Sequence, residues 1–206
     1  AALIVERFDI RLQLDDTRLL AMEDLCSVLA LDPRDKYTGT MERVARAVRT
    51  LSTSPDEDVM TLLRRALFAW LIGDGDMHLK NMAMLKTAQE GAATFRHVRL
   101  APVYDTLTTR VFPGLQHDAM ALKVNGKAQR LRRADFLALA AIADLRAGDA
   151  KAAIDEMLAS MTAALEVPGG SGDSLSPQRE LVLQTGHRTL SEHGQVLLNP
   201  VVADPR

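Results

Sequence analysis

The chain has 206 residues, 47% of them hydrophobic, and its 25 Lys and Arg against 27 Asp and Glu give a formal charge of −2. That much apolar material buries one sizeable core or two small ones and excludes a disordered chain. The near balance of charge leaves no general electrostatic pull toward nucleic acid, so direct DNA or RNA binding is not expected. The single cysteine, Cys26, excludes an intrachain disulfide and a cysteine-based zinc cluster; it reads as a small apolar residue on a buried helix face. There is no signal-peptide pattern and no apolar run long enough to span a bilayer, which points to the cytoplasm.

Residues 2–8 read as a buried strand, and Asp15-Asp16 as the turn into a second extended run at 17–20. Over 22–31 the apolar positions Met22, Leu25, Cys26 and Leu29 follow the i, i+3, i+4, i+7 pattern and predict a helix, stopped by Asp32-Pro33. A loop through Lys36-Tyr37-Thr38-Gly39 leads to a second helix over 41–51, with Val44, Ala47, Val48 and Leu51 inward and its arginines and Glu42 on a solvated face. Ser54-Pro55-Asp56-Glu57 has the form of a helix start: a cap, a proline at the first helical position and a Glu completing the S-x-x-E box. The helix it opens carries Val59, Leu62, Leu63, Ala66, Leu67, Trp70 and Leu71 at 3.6 spacing and ends at Gly73.

Between that helix and the next apolar run lies Gly73-Asp74-Gly75-Asp76-Met77-His78-Leu79-Lys80-Asn81. A polar, glycine-containing loop mounted between two rigid elements is how catalytic residues are commonly carried. Asp76 and Asn81 are five positions apart, the interval between the catalytic Asp and the metal-binding Asn of the protein-kinase loop. There a carboxylate meets the acceptor hydroxyl and an amide oxygen reaches a magnesium ion on the ATP phosphates. A second oxygen ligand must come from elsewhere, and Asp105 in Leu100-Ala101-Pro102-Val103-Tyr104-Asp105 is the candidate. Asp, Gly and Asn also build ordinary turns, so spacing alone leaves a plain loop open as the alternative.

Residues 81–85 and 94–100 read as two strands joined through Gln89-Glu90-Gly91, a hairpin returning Asp105 toward Asp76. Asn125-Gly126, within 119–127, predicts a tight turn flanked by Lys123 and Lys127, which either touch substrate or lie on solvated surface. Two packing helices follow over 133–147 and 150–165. Pro168-Gly169-Gly170-Ser171-Gly172 is a break, and Ser176-Pro177 starts a last helix ending at Gly194. No internal repeat is present. The fold class is mainly α within α+β.

Taken together, 71–81, Leu100-Ala101-Pro102-Val103-Tyr104-Asp105 and the upstream Val5-Glu6-Arg7-Phe8-Asp9 resemble, in order and spacing, the HipA family of serine/threonine kinase toxins. The resemblance implies a protein-kinase-like C-terminal lobe over 1–206, with a hinge strand and hairpin at 1–21, the helices, catalytic loop and metal-binding segment at 22–113, and a hairpin with the C-terminal helices at 114–206. It implies ATP and Mg²⁺ as cofactors. Asp76 would be the catalytic base, Asn81 and Asp105 the magnesium ligands, and Glu6 and Phe8 adenine contacts, with Asp9 on the ribose; core packing is an equal role for Phe8. His78 and Lys80 would contact ATP phosphates or brace the loop. Lys80 stands four residues after Asp76, where ordinary kinases place the loop lysine two after.

The resemblance further implies an aminoacyl-tRNA synthetase as protein substrate and a small HipB-like antitoxin as partner. The phosphate-covering glycine loop and the strand lysine of kinases would precede the hinge strand, at which this sequence begins. The residues 1–206 alone are therefore expected to be inactive, as part of a longer parent. Two alternatives share these residues: a non-catalytic kinase-like lobe that binds a partner, and a small-molecule phosphotransferase.

Overall fold

A computed structural model describes residues 7–13, 16–89 and 91–166. Four helices carry the core. These are α2 (Met41–Leu51), α3 (Pro55–Ile72), α4 (Arg133–Ile142) and α5 (Ala147–Glu166), preceded by a single helical turn, α1 (Leu25–Val28). α3 packs against α2, α4 and α5. A hairpin of β1 (Ile10–Gln13) and β2 (Asp16–Leu19) pairs Ile10 with Leu19 and Gln13 with Asp16. A second antiparallel sheet has the order β3-β4-β5, from Ala21–Asp24, Ala83–Thr87 and His97–Leu100. The mixture of helices with small antiparallel sheets is α+β. Among the described residues no helix is long and apolar enough to cross a membrane.

The long helix forms as its pattern predicts. Val59, Leu62, Leu63, Ala66, Leu67, Trp70 and Leu71 are all buried, and each large apolar side chain contributes roughly 1.5–3 kcal/mol. Its start differs from the expected capping box, because Ser54 makes no side-chain cap bond. Ser52 Oγ instead accepts from the Ser54 amide at 2.9 Å and donates to Asp58 Oδ2 at 2.6 Å. Asp58 is buried in the first turn, where a negative charge suits the helix dipole, and also accepts from Arg99 Nε at 3.0 Å and the Leu100 amide at 2.9 Å. One carboxylate thus ties the start of α3 to β5.

Two other expectations are corrected, and a third lies largely outside the described residues. Residues 22–24 are not helical: Met22 pairs with Leu85 and Asp24 with Ala83 in the sheet, so only Leu25–Val28 turns helically, capped by Asp24 accepting from the Ser27 amide at 2.9 Å. Leu25 and Cys26 are buried as expected. In α2, Leu51 is exposed and Met41 and Ala45 join Val44 and Val48 inside, while Glu42 is buried and accepts from the Asn125 amide at 2.6 Å. The strand expected over 2–8 lies outside the described residues except at its end, where Phe8 and Asp9 form a turn into β1.

The turn at Asn125-Gly126 is present, with φ of 48° and 75° and paired Val124–Lys127 backbone bonds. These are the positive angles that a two-residue hairpin requires. Lys127 lies on the surface, its side chain 48% exposed, and its Nζ is 2.8 Å from the buried Asp135, which also accepts from Asn125 Nδ2 at 2.8 Å and the Arg132 amide at 2.8 Å, capping α4. The expected break at 168–172 and last helix at 176–194 lie outside the described residues.

Asp58→Ala is expected to lower unfolding stability by roughly 2–4 kcal/mol, since three donors lose one buried acceptor. Ser54→Ala should cost less than about 0.5 kcal/mol. Urea unfolding of the two variants checks both values, and equal losses would contradict this account of the helix start.

Candidate active site

α3 ends in a Schellman motif. Gly73 sits at φ 70°, its amide donates to Trp70 O at 3.2 Å, and the Asp74 amide donates to Ala69 O at 2.8 Å. The left-handed residue is what glycine supplies at little cost, and it turns the chain abruptly into the loop.

Three further anchors hold Asp76. Its amide donates to Asp74 Oδ1 at 2.9 Å, its carbonyl accepts from the His78 amide at 2.7 Å, and the same carbonyl accepts from Asn81 Nδ2 at 2.9 Å. The last bond orients the Asn81 amide: its nitrogen is committed to the backbone, leaving Oδ1 as the oxygen available to a cation. Asn81 closes the short 3₁₀ turn Leu79–Asn81.

Tyr37, unremarked in the sequence, is part of this site. Its hydroxyl donates to Asp76 Oδ1 at 2.5 Å, which pushes its pKa up to about 12. Its ring meets the His78 ring edge-on at 5.0 Å between centroids, and the Leu79 amide donates to Lys36 O at 3.0 Å. Residues 36–37 are therefore stapled to the loop at Asp76, at His78 and at Leu79, and the Asp76 side chain stays 39% exposed.

Thr109 braces the opposite side. Its Oγ1 accepts from the Gly75 amide at 3.1 Å and lies 3.2 Å from Gly73 O and 2.8 Å from Asp118 Oδ2. Gly75 is required by close approach: a Cβ there would sit 2.0 Å from Asp118 Oδ2 and 2.9 Å from Ala119 O. No pattern around Thr109 or Asp118 marked them in advance, because their partners lie in a different part of the chain.

The β4–β5 hairpin returns the chain as expected. The Ala101 amide donates to Ala83 O at 2.8 Å and the Tyr104 hydroxyl to Lys80 O at 2.8 Å, so Asp105 follows a residue bonded to the neighbour of Asn81. Asp105 is exposed, at φ 52°. Its charge and that of Asp76 both act on Asp74 and on His78. Lys80 Nζ donates to Asp24 Oδ2 at 2.6 Å, a bond that raises its pKa and fastens the loop to β3. His78 is buried; burial first, then the Lys36 charge, lowers its pKa, which keeps the ring neutral.

The adenine and ribose candidates are less closely tied to the loop. Glu6 lies outside the described residues. Phe8 stacks at 5.8 Å on Tyr104, and the Asp9 carboxylate receives both Arg7 Nε at 2.9 Å and Nη2 at 2.5 Å. Among the described residues no group of three or more His, Cys, Asp or Glu is arranged to hold a metal. Magnesium characteristically takes one or two protein oxygens and completes its shell with phosphate and water, which Asn81 Oδ1 and the Asp105 carboxylate suit.

The sequence matches the HipA-like C-terminal domain family over residues 1–165. The chain belongs to that family. Two relatives in Sinorhizobium fredii (strain NBRC 101917 / NGR234), named Putative kinase Y4mE and Putative kinase Y4dM, are each 32% identical over 138 and 145 residues, or 65% and 70% of this chain. The aligned regions are 31% and 33% of those proteins, so this HipA-like chain spans about a third of their length. The HipA toxin–antitoxin structure of Shewanella oneidensis MR-1, in complex with HipB and operator DNA, has the same fold: TM-score 0.72 at 16% identity, over 92% of this chain and 47% of that one.

Asp74 provides a test of the loop's electrostatics. It is 1% exposed, and burial first, with the charges of Asp76 and Asp105 adding, raises its pKa to about 6, against the pull of the Asp76 and Leu107 backbone amides. A carboxyl whose folded pKa exceeds its unfolded value of 3.8 stabilises fully below pH 4 and loses that contribution as pH rises through 6. Asp74→Asn should therefore gain roughly 1–3 kcal/mol relative to the parent between pH 4 and pH 8. Urea unfolding at the two pH values measures this, and a pH-independent difference would contradict it.

Proposed function

We propose that this chain is the kinase-like C-terminal catalytic lobe of an ATP- and Mg²⁺-dependent serine/threonine protein kinase. The observation that carries the reading is the bond from Asn81 Nδ2 to the Asp76 carbonyl. It makes the two residues one unit, with a half-exposed carboxylate on one side and a free amide oxygen on the other.

Asp76 accepts or orients the proton of the acceptor hydroxyl as its oxygen attacks, and Tyr37 holds the carboxylate in place through Oδ1. Asn81 Oδ1 and the Asp105 carboxylate would hold the magnesium ion. When bound, Mg·ATP supplies the transferable phosphoryl group and neutralises its developing charge. Lys80, engaged by Asp24, and His78, neutral and packed on Tyr37, brace the loop. Glu6, Phe8 and Asp9 are the proposed nucleoside contacts. Positioning is most of what a protein contributes to phosphoryl transfer, and it is what these bonds supply.

The family and the HipB-bound Shewanella structure support the further proposal that the parent protein works in the cytoplasm as the toxin of a toxin–antitoxin pair. Its partner would be a HipB-like antitoxin and its substrate a protein such as an aminoacyl-tRNA synthetase.

In the full-length protein, Asp76→Asn is expected to reduce phosphoryl transfer by about 10²–10⁴-fold while leaving the melting temperature and nucleotide affinity unchanged. Asn81→Ala and Asp105→Ala should each weaken Mg²⁺-dependent ATP binding in calorimetry. Full transfer by the Asp76→Asn protein, or ATP binding indifferent to both Asn81 and Asp105, would refute the reading.

A further inference from the structure

The Asp76 carboxylate opens into a cleft of about 580 Å³. Tyr37 and Asp76 line it; Leu107, Phe112, Leu115 and Met120 supply apolar walls. This volume lies in the range of pockets that enclose a ligand. Leu107, Phe112 and Leu115 are 37–47% exposed, unusual for three large apolar side chains grouped on one wall, and such a group ordinarily marks a contact surface.

The segment bearing these side chains is fixed rather than loosely draped. Thr109 ties it to Gly73 and Gly75, the Thr109 amide donates to Gly73 O at 3.2 Å, and Arg110 Nη2 donates to Asp118 O at 3.1 Å. The Phe112 amide returns to Thr109 O at 3.1 Å and the Leu115 amide to Phe112 O at 3.1 Å. A rigid apolar wall adjoining a catalytic carboxylate needs little ordering on binding, which favours affinity.

The charges of the lining narrow the occupant. Its carboxylates are Asp76 and Asp118, and among the described residues no Lys or Arg lines the cleft. Asp118 is already committed, with Oδ2 at 2.8 Å from the Thr109 hydroxyl and Oδ1 accepting the Ala119 amide at 3.0 Å. A sugar phosphate, a nucleotide or an acidic peptide would meet no cation and at least one carboxylate here, whereas anion recognition ordinarily uses Arg or Lys. An aliphatic or aromatic side chain would bury the exposed wall.

We infer that this cleft receives the protein segment carrying the acceptor hydroxyl, and that it selects a serine or threonine with a large aliphatic or aromatic neighbour and no acidic or phosphorylated one. The inference rests on Asp76 being the group that meets the acceptor. It adds a specificity that the reaction itself does not require, since magnesium and the catalytic loop act alike on any hydroxyl. Phe112 and Leu115 determine specificity; they touch the neighbour of the reacting residue and not the reacting atoms.

The test is binding, which does not depend on transfer. Fluorescein-labelled serine-centred peptides, with the three positions on either side carrying one Leu, Phe, Lys or Glu in a Gly/Ala background, are titrated by anisotropy with the full-length Asp76→Asn protein. The titration is made in the presence of Mg²⁺ and a non-hydrolysable ATP analogue. Leu and Phe peptides should bind at least about tenfold tighter than Glu peptides (about 1.4 kcal/mol). Adding Leu115→Glu should remove that preference while the analogue's affinity stays the same. Phe112→Ala, which introduces no charge, should reduce it. Equal binding of Leu and Glu peptides, preference for Glu or phosphoserine peptides, or a preference untouched by both substitutions would overturn the inference. So would transfer by the wild-type protein to a free small alcohol as readily as to the Leu peptide. Peptide selectivity with no transfer by wild-type protein would leave the cleft standing and refute the kinase reading.

Discussion

The left-handed stop at Gly73 governs the architecture around the site. α3 is buried along its length, so its end has a fixed place in the core, and the Schellman bonds to Ala69 and Trp70 make the departure of the chain equally fixed. Asp76 is three residues beyond that point. Any slack in the helix or its terminator would pass directly to the carboxylate, and a displacement of about 1 Å can cost on the order of a hundredfold in rate. On the proposed function, the buried aliphatic stripe of α3 would in this sense be part of the catalytic apparatus.

The loop itself is held by many modest bonds rather than one strong one. Tyr37 and Thr109 reach it from two other parts of the chain, while Asn81 and Lys80 bond from within it, each bond having a net worth of about 0.5–1.5 kcal/mol. Several act on backbone groups, as with Asn81 on Asp76 O, Tyr104 on Lys80 O and Thr109 on the Gly75 amide. A backbone held in this way keeps its shape while the side chains remain free for chemistry. Asp76 gives one oxygen to Tyr37; on the proposed function its other oxygen would meet an acceptor and the Asn81 oxygen a cation. The cost of this arrangement is visible in His78 Nδ1, a buried polar atom without a hydrogen-bond partner among the described residues.

What could be read from the sequence was what local chemistry encodes. The 3.6 spacing of α3, its end at Gly73, the Asn125-Gly126 turn and the return of the chain through β4 and β5 are written in adjacent residues. Interactions between distant residues were not legible. Met22, Leu25, Cys26 and Leu29 fit a helix, yet Met22 is held across the sheet by Leu85, a partner that no local window contains. Ser54 has the residue type of a cap, but the nearby Ser52 makes the bond because Asp58 and Arg99 draw it there. At the site, spacing singled out Asp76 and Asn81 as candidates, whereas Tyr37 was one aromatic in a polar loop. Only the folded chain brings its hydroxyl to the carboxylate.

The central claim is that Asn81 and Asp105 share one cation while Asp76 stands beside it without ligating. A crystal structure of the full-length protein with Mg²⁺ and a non-hydrolysable ATP analogue measures this directly. The account predicts Asn81 Oδ1 and an Asp105 carboxylate oxygen both at about 2.0–2.1 Å from the same magnesium ion, with the Asp76 carboxylate still bonded to Tyr37. A magnesium ion held without either residue, or ligated by Asp76, would contradict it.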